Sequence, residues 1–267
     1  MNTDSRSLRR RPPRRPLRAA DRRFGRRLLA AAGAFTLASV PAGVLLVLIE
    51  ARWTPLAELD RGAADRLHTA VLGHPALLSV IRVLSDRVWD PVTLRLLVAA
   101  AVGWLLYRRA WRLAAWAAAT ETAAGLTGFL VKAAVGRVRP SLPDPVALAP
   151  GYSFPSGHAM TAAVSCAVLL LVLEPVVPRA LRPAAWAVAA VSVLGVGFTR
   201  VALGVHWASD VLGGWLLGAG LVVATAWAFD AWRLETGRGV PPVTDGLEPE
   251  LATAGPEGPE ESAPAGR

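Results

Sequence analysis

Long apolar stretches restrict the fold of this chain more than any other feature. Runs of fifteen or more mostly apolar residues recur along the 267 residues, and only 18% of the residues are charged, against roughly 25% in ordinary soluble domains. A helix of about 20 apolar residues crosses the roughly 30 Å hydrocarbon core of a bilayer. The pattern therefore predicts an all-α, polytopic membrane protein whose length suits six transmembrane helices in one bundle.

One long connection interrupts this pattern. Residues 51–88 hold five Arg and four acidic residues at helical spacing, too much charge for a span, so they predict a surface amphipathic helical segment. The six predicted spans are 28–49, a second ending in GWLLYRR, 113–131, 159–173, 184–198 and 207–229. The chain thus divides into a basic tail (1–27), a six-span domain (28–230) and an acidic tail rich in Pro and Gly (231–267), which we predict to be disordered.

The distribution of charge predicts how the spans are oriented. The net charge of +9 comes entirely from residues 1–27, which hold eleven Arg and two Asp. An Arg-rich tail directly before an apolar run is typical of a topology determinant that touches anionic lipid, and we predict no nucleic-acid partner. Arginines also follow the second, fourth and sixth spans, so both termini are predicted to be cytoplasmic in a multi-pass cell-membrane protein. A twin-arginine signal is disfavoured because 28–49 exceeds the roughly 7–15 residues of a signal's apolar region.

Three polar clusters border the predicted spans on the outer side. They are KAAVGRVRP (132–140), PSGH (155–158) and TRVALGVHWASD (199–210). Their candidate functional residues are Lys132, Arg139, Ser156, Gly157, His158, Arg200, His206 and Asp210. Since each cluster begins or ends a span on one side, all of them can meet at one depth.

The first part of this constellation suits a phosphate group. A phosphomonoester carries about −1.5 to −2 charges, and Lys132, Arg139 and Arg200 supply three cations, two of them able to bind oxygens bidentately. PSGH begins a helix, whose N-terminal N–H groups favour an anion. There Ser156 can cap the helix, and Gly157 permits a close backbone approach.

The second part suits nucleophilic catalysis. His206 and Asp210 are four residues apart and share a helix face. A carboxylate that accepts the proton of one ring nitrogen leaves the other nitrogen free to attack. His158 can then protonate the departing alkoxide. This chemistry needs no metal or other cofactor, and the outer segments hold no acidic cluster that suits one.

Together these residues resemble the signature of the type 2 phosphatidic acid phosphatase superfamily, K-x6-RP, PSGH and [ST]R-x5-H-x3-D. Thr199 stands where the family more often has Ser, and the resemblance covers about residues 56–229. It implies an integral membrane lipid phosphatase with a phosphohistidine at His206, assisted by Asp210, and with His158 as the acid. The residues that it implies for phosphate binding are Lys132, Arg139, Ser156, Gly157 and Arg200.

Several alternatives stay open at this stage. The expected site lies on the extracytoplasmic side and acts at the outer leaflet, with phosphatidic acid, phosphatidylglycerophosphate, diacylglycerol pyrophosphate or undecaprenyl pyrophosphate as the substrate. A lipid phosphotransferase of the same fold would pass the phosphate to another acceptor. Haloperoxidases that bind vanadate share the signature but are soluble. A non-catalytic membrane protein would be expected to lack His158, His206 or Asp210, and all three are present. The oligomeric state is not predicted.

Other polar or aromatic residues near the spans receive structural interpretations. We expect Arg137 to touch lipid head groups rather than substrate. Glu121 lies about 16 Å along the helix from Lys132, too far for the phosphate site, and is expected to bond a neighbouring helix. Cys166 has no partner for an internal disulfide. The tryptophans interpreted as anchors at the membrane interface are Trp53, Trp89 and Trp207.

Overall fold

The computed structural model describes residues 17–235, and its regular elements are helices throughout. They are α1 (Leu17–Glu50), α2 (Thr54–Leu72), α3 (Pro75–Val83), a π-helical turn (Leu84–Val88), α4 (Pro91–Tyr107), α5 (Trp111–Val135), α6 (Gly157–Leu173), a 3₁₀ turn (Arg179–Leu181), α7 (Arg182–Ala202) and α8 (Ala208–Glu235). The predicted all-α class is confirmed for this part of the chain. The first sixteen residues and the predicted acidic tail from residue 236 onward lie outside it.

The helices give fewer candidate membrane spans than the sequence pattern predicts. Within residues 17–235, three helical stretches are long and apolar enough to cross a bilayer: Pro75–Tyr107, Arg179–Ala202 and Ala208–Asp230. A fourth is counted if Ser39–Glu50 and Thr54–Leu72, which meet at a 93° bend, form one span. The count of six therefore stays a prediction. Residues 75–88, expected at the surface, instead continue through the π-helical turn toward α4.

Local capping signals place the ends of the helices that carry the predicted site. Gly136 ends α5 in the left-handed conformation, with φ of +62°, which glycine adopts without strain. Lys132 therefore lies in the last turn of α5. Ser156 caps α6 by accepting a bond from the N–H of Ala159 at 3.5 Å. His158 consequently occupies the first turn of α6.

Glycines on α8 bring this helix very close to α6. A Cβ atom at Gly214 would lie 2.7 Å from the Ser156 carbonyl oxygen, and one at Gly218 would lie 3.1 Å from the Met160 carbonyl oxygen. Small residues at four-residue spacing permit such contact between membrane helices. The contact continues at the helix starts, where the Ser156 N–H donates to the Asp210 carbonyl oxygen at 2.9 Å. Close packing thus sets PSGH directly beside the beginning of α8.

We expect Gly214→Ala to destabilise the protein, although alanine favours helices over glycine. The new Cβ would collide with backbone atoms at the start of α6, and overpacking of this kind costs about 1–3 kcal/mol. A thermal unfolding experiment in detergent should show a lower Tm. The matched control is Gly103→Ala on α4, where a Cβ meets nothing within 4 Å. An unchanged Tm for Gly214→Ala would contradict the close α6–α8 contact.

The segments that carry the three polar clusters lie at one end of the bundle. The C-terminal ends of α5 and α7 and the N-terminal ends of α6 and α8 meet there, together with the connection 136–156. Helix α2 packs across this end against α7 and α8. The predicted convergence of the three polar clusters therefore has a structural basis.

Candidate active site

His206 and Asp210 form a buried pair at the start of α8. Their side chains are 3% and 0% exposed, and Nδ1 of His206 lies 3.4 Å from Oδ2 of Asp210. The other ring nitrogen, Nε2, lies 3.1 Å from Nη1 of Arg139. Because a guanidinium can only donate, Nε2 must carry the lone pair and Nδ1 the hydrogen. The structure thus favours the tautomer in which Nε2 can act as a nucleophile.

Asp210 is held from several directions at once. Its Oδ2 accepts bonds from the Trp207 N–H at 2.8 Å and from the Ser153 hydroxyl. Its Oδ1 accepts a bond of 2.6 Å from Nη1 of Arg137. A buried carboxylate requires such pairing, and here the pairing also fixes the direction from which the carboxylate meets His206.

His206 lies before α8 begins, and its surroundings keep the ring neutral. Burial lowers the pKa of His206 to about 4, although the neighbouring Asp210 acts to raise it. The uncharged form therefore dominates from mildly acidic pH upward. A lone pair on Nε2 is consequently available at neutral pH.

Arg139 connects the nucleophile to the segment that joins α5 and α6. Beside its bond to His206, Nη1 donates to the Val205 carbonyl oxygen at 2.6 Å. Its other donors meet the carbonyl oxygens of Gly151 at 3.0 Å and of Pro150 and Tyr152 at 3.1 Å. All five N–H groups of this guanidinium are engaged. Binding a phosphate would require at least one of them to change partner, and burial lowers the pKa of Arg139 without removing its charge at neutral pH.

Arg200 has a donor available to a ligand. Its side chain is 7% exposed, and Nη1 donates to the Ser85 hydroxyl at 2.9 Å and lies 3.8 Å from Oδ1 of Asp86. Among the described residues, its buried Nε has no hydrogen-bond partner. An unpaired buried N–H is unfavourable by about 1–3 kcal/mol. An anion bound beside it would satisfy this group.

The start of α6 faces the same region. Ser156 is fully buried, whereas Gly157 is exposed and a Cβ there would meet nothing within 4 Å. His158 is half-buried and lies within electrostatic range of the other candidates, namely Arg200, His206, Arg139 and Lys132. Lys132 donates from Nζ to the Tyr152 carbonyl oxygen at 2.8 Å. The structure thus gathers the residues that the three clusters predicted.

The interpretation of Arg137 as a lipid-facing residue is wrong. The side chain is 17% exposed and turns inward, where Nη1 binds Asp210 and Nη2 binds Asp60 at 2.8 Å. Two buried carboxylates need cationic partners, and Arg137 supplies both. The prediction failed because an arginine near the end of a span looks the same in sequence whether it meets lipid or a buried acid.

Two of the three tryptophans are also more than interface anchors. Trp89 packs its ring against Gly195 of α7, and Trp207 donates from Nε1 to the Val138 carbonyl oxygen at 3.0 Å. The Trp207 ring centroid also lies 5.8 Å from Cζ of Arg137, at cation–π distance. Trp53 remains 49% exposed, as an anchor would be.

The expectation for Glu121 is confirmed. Its Oε1 accepts a bond of 2.6 Å from the hydroxyl of Ser165 on α6.

The hydroxyl of Thr199 donates to the Val196 carbonyl oxygen of its own helix at 2.9 Å, so this hydroxyl does not extend the site.

Sequence reasoning missed three residues around the site: Asp60, Ser85 and Ser153. A usable signal existed for Asp60, because the buried positions of α2 are Asp60, Ala64, His68 and Val71. An aspartate and a histidine on the buried stripe of an amphipathic helix indicate polar partners inside the protein. For Ser85 and Ser153, partner choice depends on packing between distant segments, and their sequence context gives no comparable signal.

The model of the PAP2 superfamily matches residues 109–234, which include α5 to α8 and all eight predicted site residues. Over these residues the chain is similar to the PAP2 superfamily. Helices α1 to α4 precede the matched region.

Two curated proteins that are similar to this chain are phosphatases by name. An undecaprenyl-diphosphatase of Sulfolobus acidocaldarius is 30% identical over 139 residues, which cover 50% of this chain and 60% of the relative. Phosphatidylglycerophosphatase B of Bacillus subtilis is 35% identical over 129 residues, which cover 47% of this chain and 62% of the relative. The matches therefore span less than two thirds of either relative.

The fold resembles a solved membrane protein. The crystal structure of a transmembrane PAP2 type phosphatidylglycerolphosphate phosphatase from Bacillus subtilis aligns with a TM-score of 0.62 at 22% identity, covering 77% of this chain and 97% of that one. This likeness shows the PAP2 fold. Together with the apolar helices it supports a membrane location.

Proposed function

We propose that this protein is a phosphatase that removes the terminal phosphate of a lipid phosphate or pyrophosphate through a phosphohistidine at His206. The observation that carries the proposal is the buried His206–Asp210 pair, with Nε2 of His206 3.1 Å from Nη1 of Arg139. Arg139, Arg200 and Lys132 lie near one another beside this pair and are called the cationic pocket. The names of the two curated relatives support the same reaction class. We propose that the reaction proceeds without a metal, through side chains and backbone N–H groups of this chain.

Phosphate binding comes first. The open Nε of Arg200, the ammonium of Lys132 and the N–H groups at the start of α6 receive the phosphate oxygens. Nη1 of Arg139 turns from the imidazole to a phosphate oxygen, which frees the lone pair on Nε2. The bound anion also offsets the cations around His158 and favours its protonated form.

Phosphoryl transfer to the enzyme follows. The lone pair on Nε2 of His206 forms a bond to phosphorus, and the bond from phosphorus to the leaving oxygen breaks. His158 gives its proton to that oxygen, because an alkoxide leaves poorly without one. The cations hold the charge of the transferring group. Asp210 stabilises the positive imidazole of the phosphohistidine through Nδ1–H.

Hydrolysis completes the cycle. His158, now neutral, accepts a proton from water as the water oxygen attacks phosphorus. The phosphorus–nitrogen bond breaks, and Nε2 regains its lone pair. Inorganic phosphate then leaves, and the surrounding cations favour the neutral form of His158 until the next phosphate binds and it takes up a proton again.

We propose a multi-pass arrangement of six spans with the site at the outer leaflet and both termini in the cytoplasm. The site lies where α5 and α7 end and where α6 and α8 begin. Arg108 and Arg109 precede α5, and Arg179 and Arg182 precede or begin α7, at the opposite ends of these helices. Clustering of arginine in the short connections at one side supports a cytoplasmic assignment for that side.

The decisive experiment is a substrate panel on purified protein in detergent. Phosphate release should be measured from phosphatidic acid, phosphatidylglycerophosphate and undecaprenyl pyrophosphate, with added alcohols as acceptors. Release to water supports the phosphatase, and lipid product without equivalent free phosphate would show a phosphotransferase. Bromide oxidation with added vanadate would instead show a haloperoxidase. Absence of turnover on every lipid phosphate would contradict the proposal.

We expect His158→Ala to affect substrates according to their leaving groups. Loss of a general acid slows a reaction by about 10²–10⁴-fold, so a lipid phosphate with an alkoxide leaving group should show this loss. p-Nitrophenyl phosphate should lose much less, because nitrophenolate leaves without a proton. His158 also acts as the base when the phosphohistidine is hydrolysed. The rate to measure is therefore that of the first-turnover burst, which precedes this hydrolysis. Equal losses for both substrates would contradict its role as the acid.

A further inference from the structure

The carboxylate of Asp60 accepts three hydrogen bonds from residues at or near the start of α8. Asp60 lies on α2, is 1% exposed, and accepts a bond of 2.8 Å at Oδ1 from the Ser209 N–H. Its Oδ2 accepts bonds of 2.5 Å from the Ser209 hydroxyl and 2.8 Å from Nη2 of Arg137. A buried carboxylate is strongly unfavourable unless it is paired. All of these partners lie on, or bind to, the turn that carries Asp210.

Ser209 connects Asp60 to the beginning of α8. Its N–H belongs to the first turn of that helix and has no partner within the helix. The Asp60 carboxylate caps it from another helix, in the place where a negative charge is most favourable. Because Asp210 is the next residue, Asp60 fixes the direction of the catalytic carboxylate through the backbone.

Arg137 makes a second connection. One arm of its guanidinium binds Asp60, and the other binds Asp210 at 2.6 Å and the Ser209 hydroxyl at 2.7 Å. The planar fork therefore holds two carboxylates at a fixed separation. Asp60 also balances the charge of Arg137, so that the negative charge of Asp210 remains directed toward His206.

We propose that Asp60 is a positioning residue for the His206–Asp210 pair and acts through Ser209 and Arg137. The proposal rests on the proposed function and extends it to α2, which precedes the region matched by the family. Asp60 has no contact with the cationic pocket among its described bonds, so it orients the nucleophile rather than binding the phosphate. Its influence should therefore appear in the chemical step.

The first test compares Asp60→Asn with Asp65→Asn. Asp65 lies on the same helix and is exposed, so the control removes an equal charge. For Asp60→Asn we expect kcat to fall by about 10–100-fold with KM unchanged, as for other residues that orient a ligating or reacting group. Asp65→Asn should match the native protein. A native kcat in Asp60→Asn, or a change confined to KM, would overturn the proposal.

A second measurement does not depend on turnover. Orthovanadate can form a bond to Nε2 of His206, changing vanadium from four to five ligands with no bond broken, whereas sulfate can bind only through the cations. Asp60→Asn should keep the rise in Tm caused by sulfate and lose the additional rise caused by vanadate. A purely structural role predicts a lower Tm with both ligand effects retained, and that result would refute positioning.

Ser209→Ala provides a variant that keeps all charges. It removes the hydroxyl bonds to Asp60 and Arg137 but preserves the capped N–H, so we expect a smaller loss of kcat and of vanadate stabilisation. If Asp60→Asn fails to fold, a Ser209→Ala protein with native kcat and native vanadate stabilisation overturns the proposal. If the native protein hydrolyses no lipid phosphate, the proposed function fails, while the vanadate and sulfate comparison still decides the role of Asp60.

Discussion

His206→Ala is expected to abolish phosphate release and leave the protein folded. The variant lacks Nε2 of His206, the protein atom that we propose forms a bond to phosphorus. Removal of a catalytic nucleophile or its base lowers kcat by roughly 10⁴-fold or more. The cationic pocket remains, so substrate should still bind. Quenching in alkaline detergent, in which a phosphohistidine survives, should trap a ³²P-labelled phosphoenzyme from terminally labelled lipid in the native protein and none in the variant.

The matched control for this prediction is His74→Ala. His74 lies just before α3, is exposed, and has Nδ1 2.9 Å from the Ala70 carbonyl oxygen. The substitution removes an imidazole from the connection between α2 and α3 without touching the site, and turnover should stay at the native level. If His206→Ala still formed an acid-labile phosphoenzyme and His158→Ala did not, the two histidines would have to exchange roles.

Helix positions could be predicted because their signals are local. PSGH supplies both the cap and the first turn of α6, so the predicted start at residue 159 is close to the observed start at Gly157. The continuity of Pro75–Tyr107 and the 93° bend after Glu50 were missed. Hydropathy reports removal from water, and it does not distinguish burial in lipid from burial against another helix. The number of spans therefore does not follow from hydropathy alone.

The grouping of the candidate residues could be predicted because they occupy fixed spacings at helix ends. Asp60 could not be placed by the same reasoning, since its partner Ser209 is 149 positions away and their contact depends on how α2 packs on α8. The direction of the Arg137 side chain could not be predicted either. Its position near the end of α5 suits an anchor in lipid, and only the two acids inside the protein determine its direction.

We expect Asp210→Asn to lower kcat by about 10³–10⁴-fold, the range seen when a carboxylate that orients a catalytic histidine becomes an amide. The amide NH₂ can donate to Nδ1 of His206, which would favour the tautomer with hydrogen on Nε2 and remove the lone pair needed for attack. The uncharged amide also stabilises the positive phosphohistidine less well. The burst of the first turnover should slow by the same factor as kcat.

Asp144→Asn is the appropriate control for Asp210→Asn, because Asp144 is exposed in the connection between α5 and α6. Its φ of +51° is one that asparagine adopts readily, so activity should not change. Asp210→Asn should also lose more activity than Asp60→Asn, since Asp210 contacts the imidazole and Asp60 acts through Arg137 and Ser209. A native burst in Asp210→Asn, or a larger loss in Asp60→Asn, would show that the carboxylate beside His206 does not control which ring nitrogen attacks.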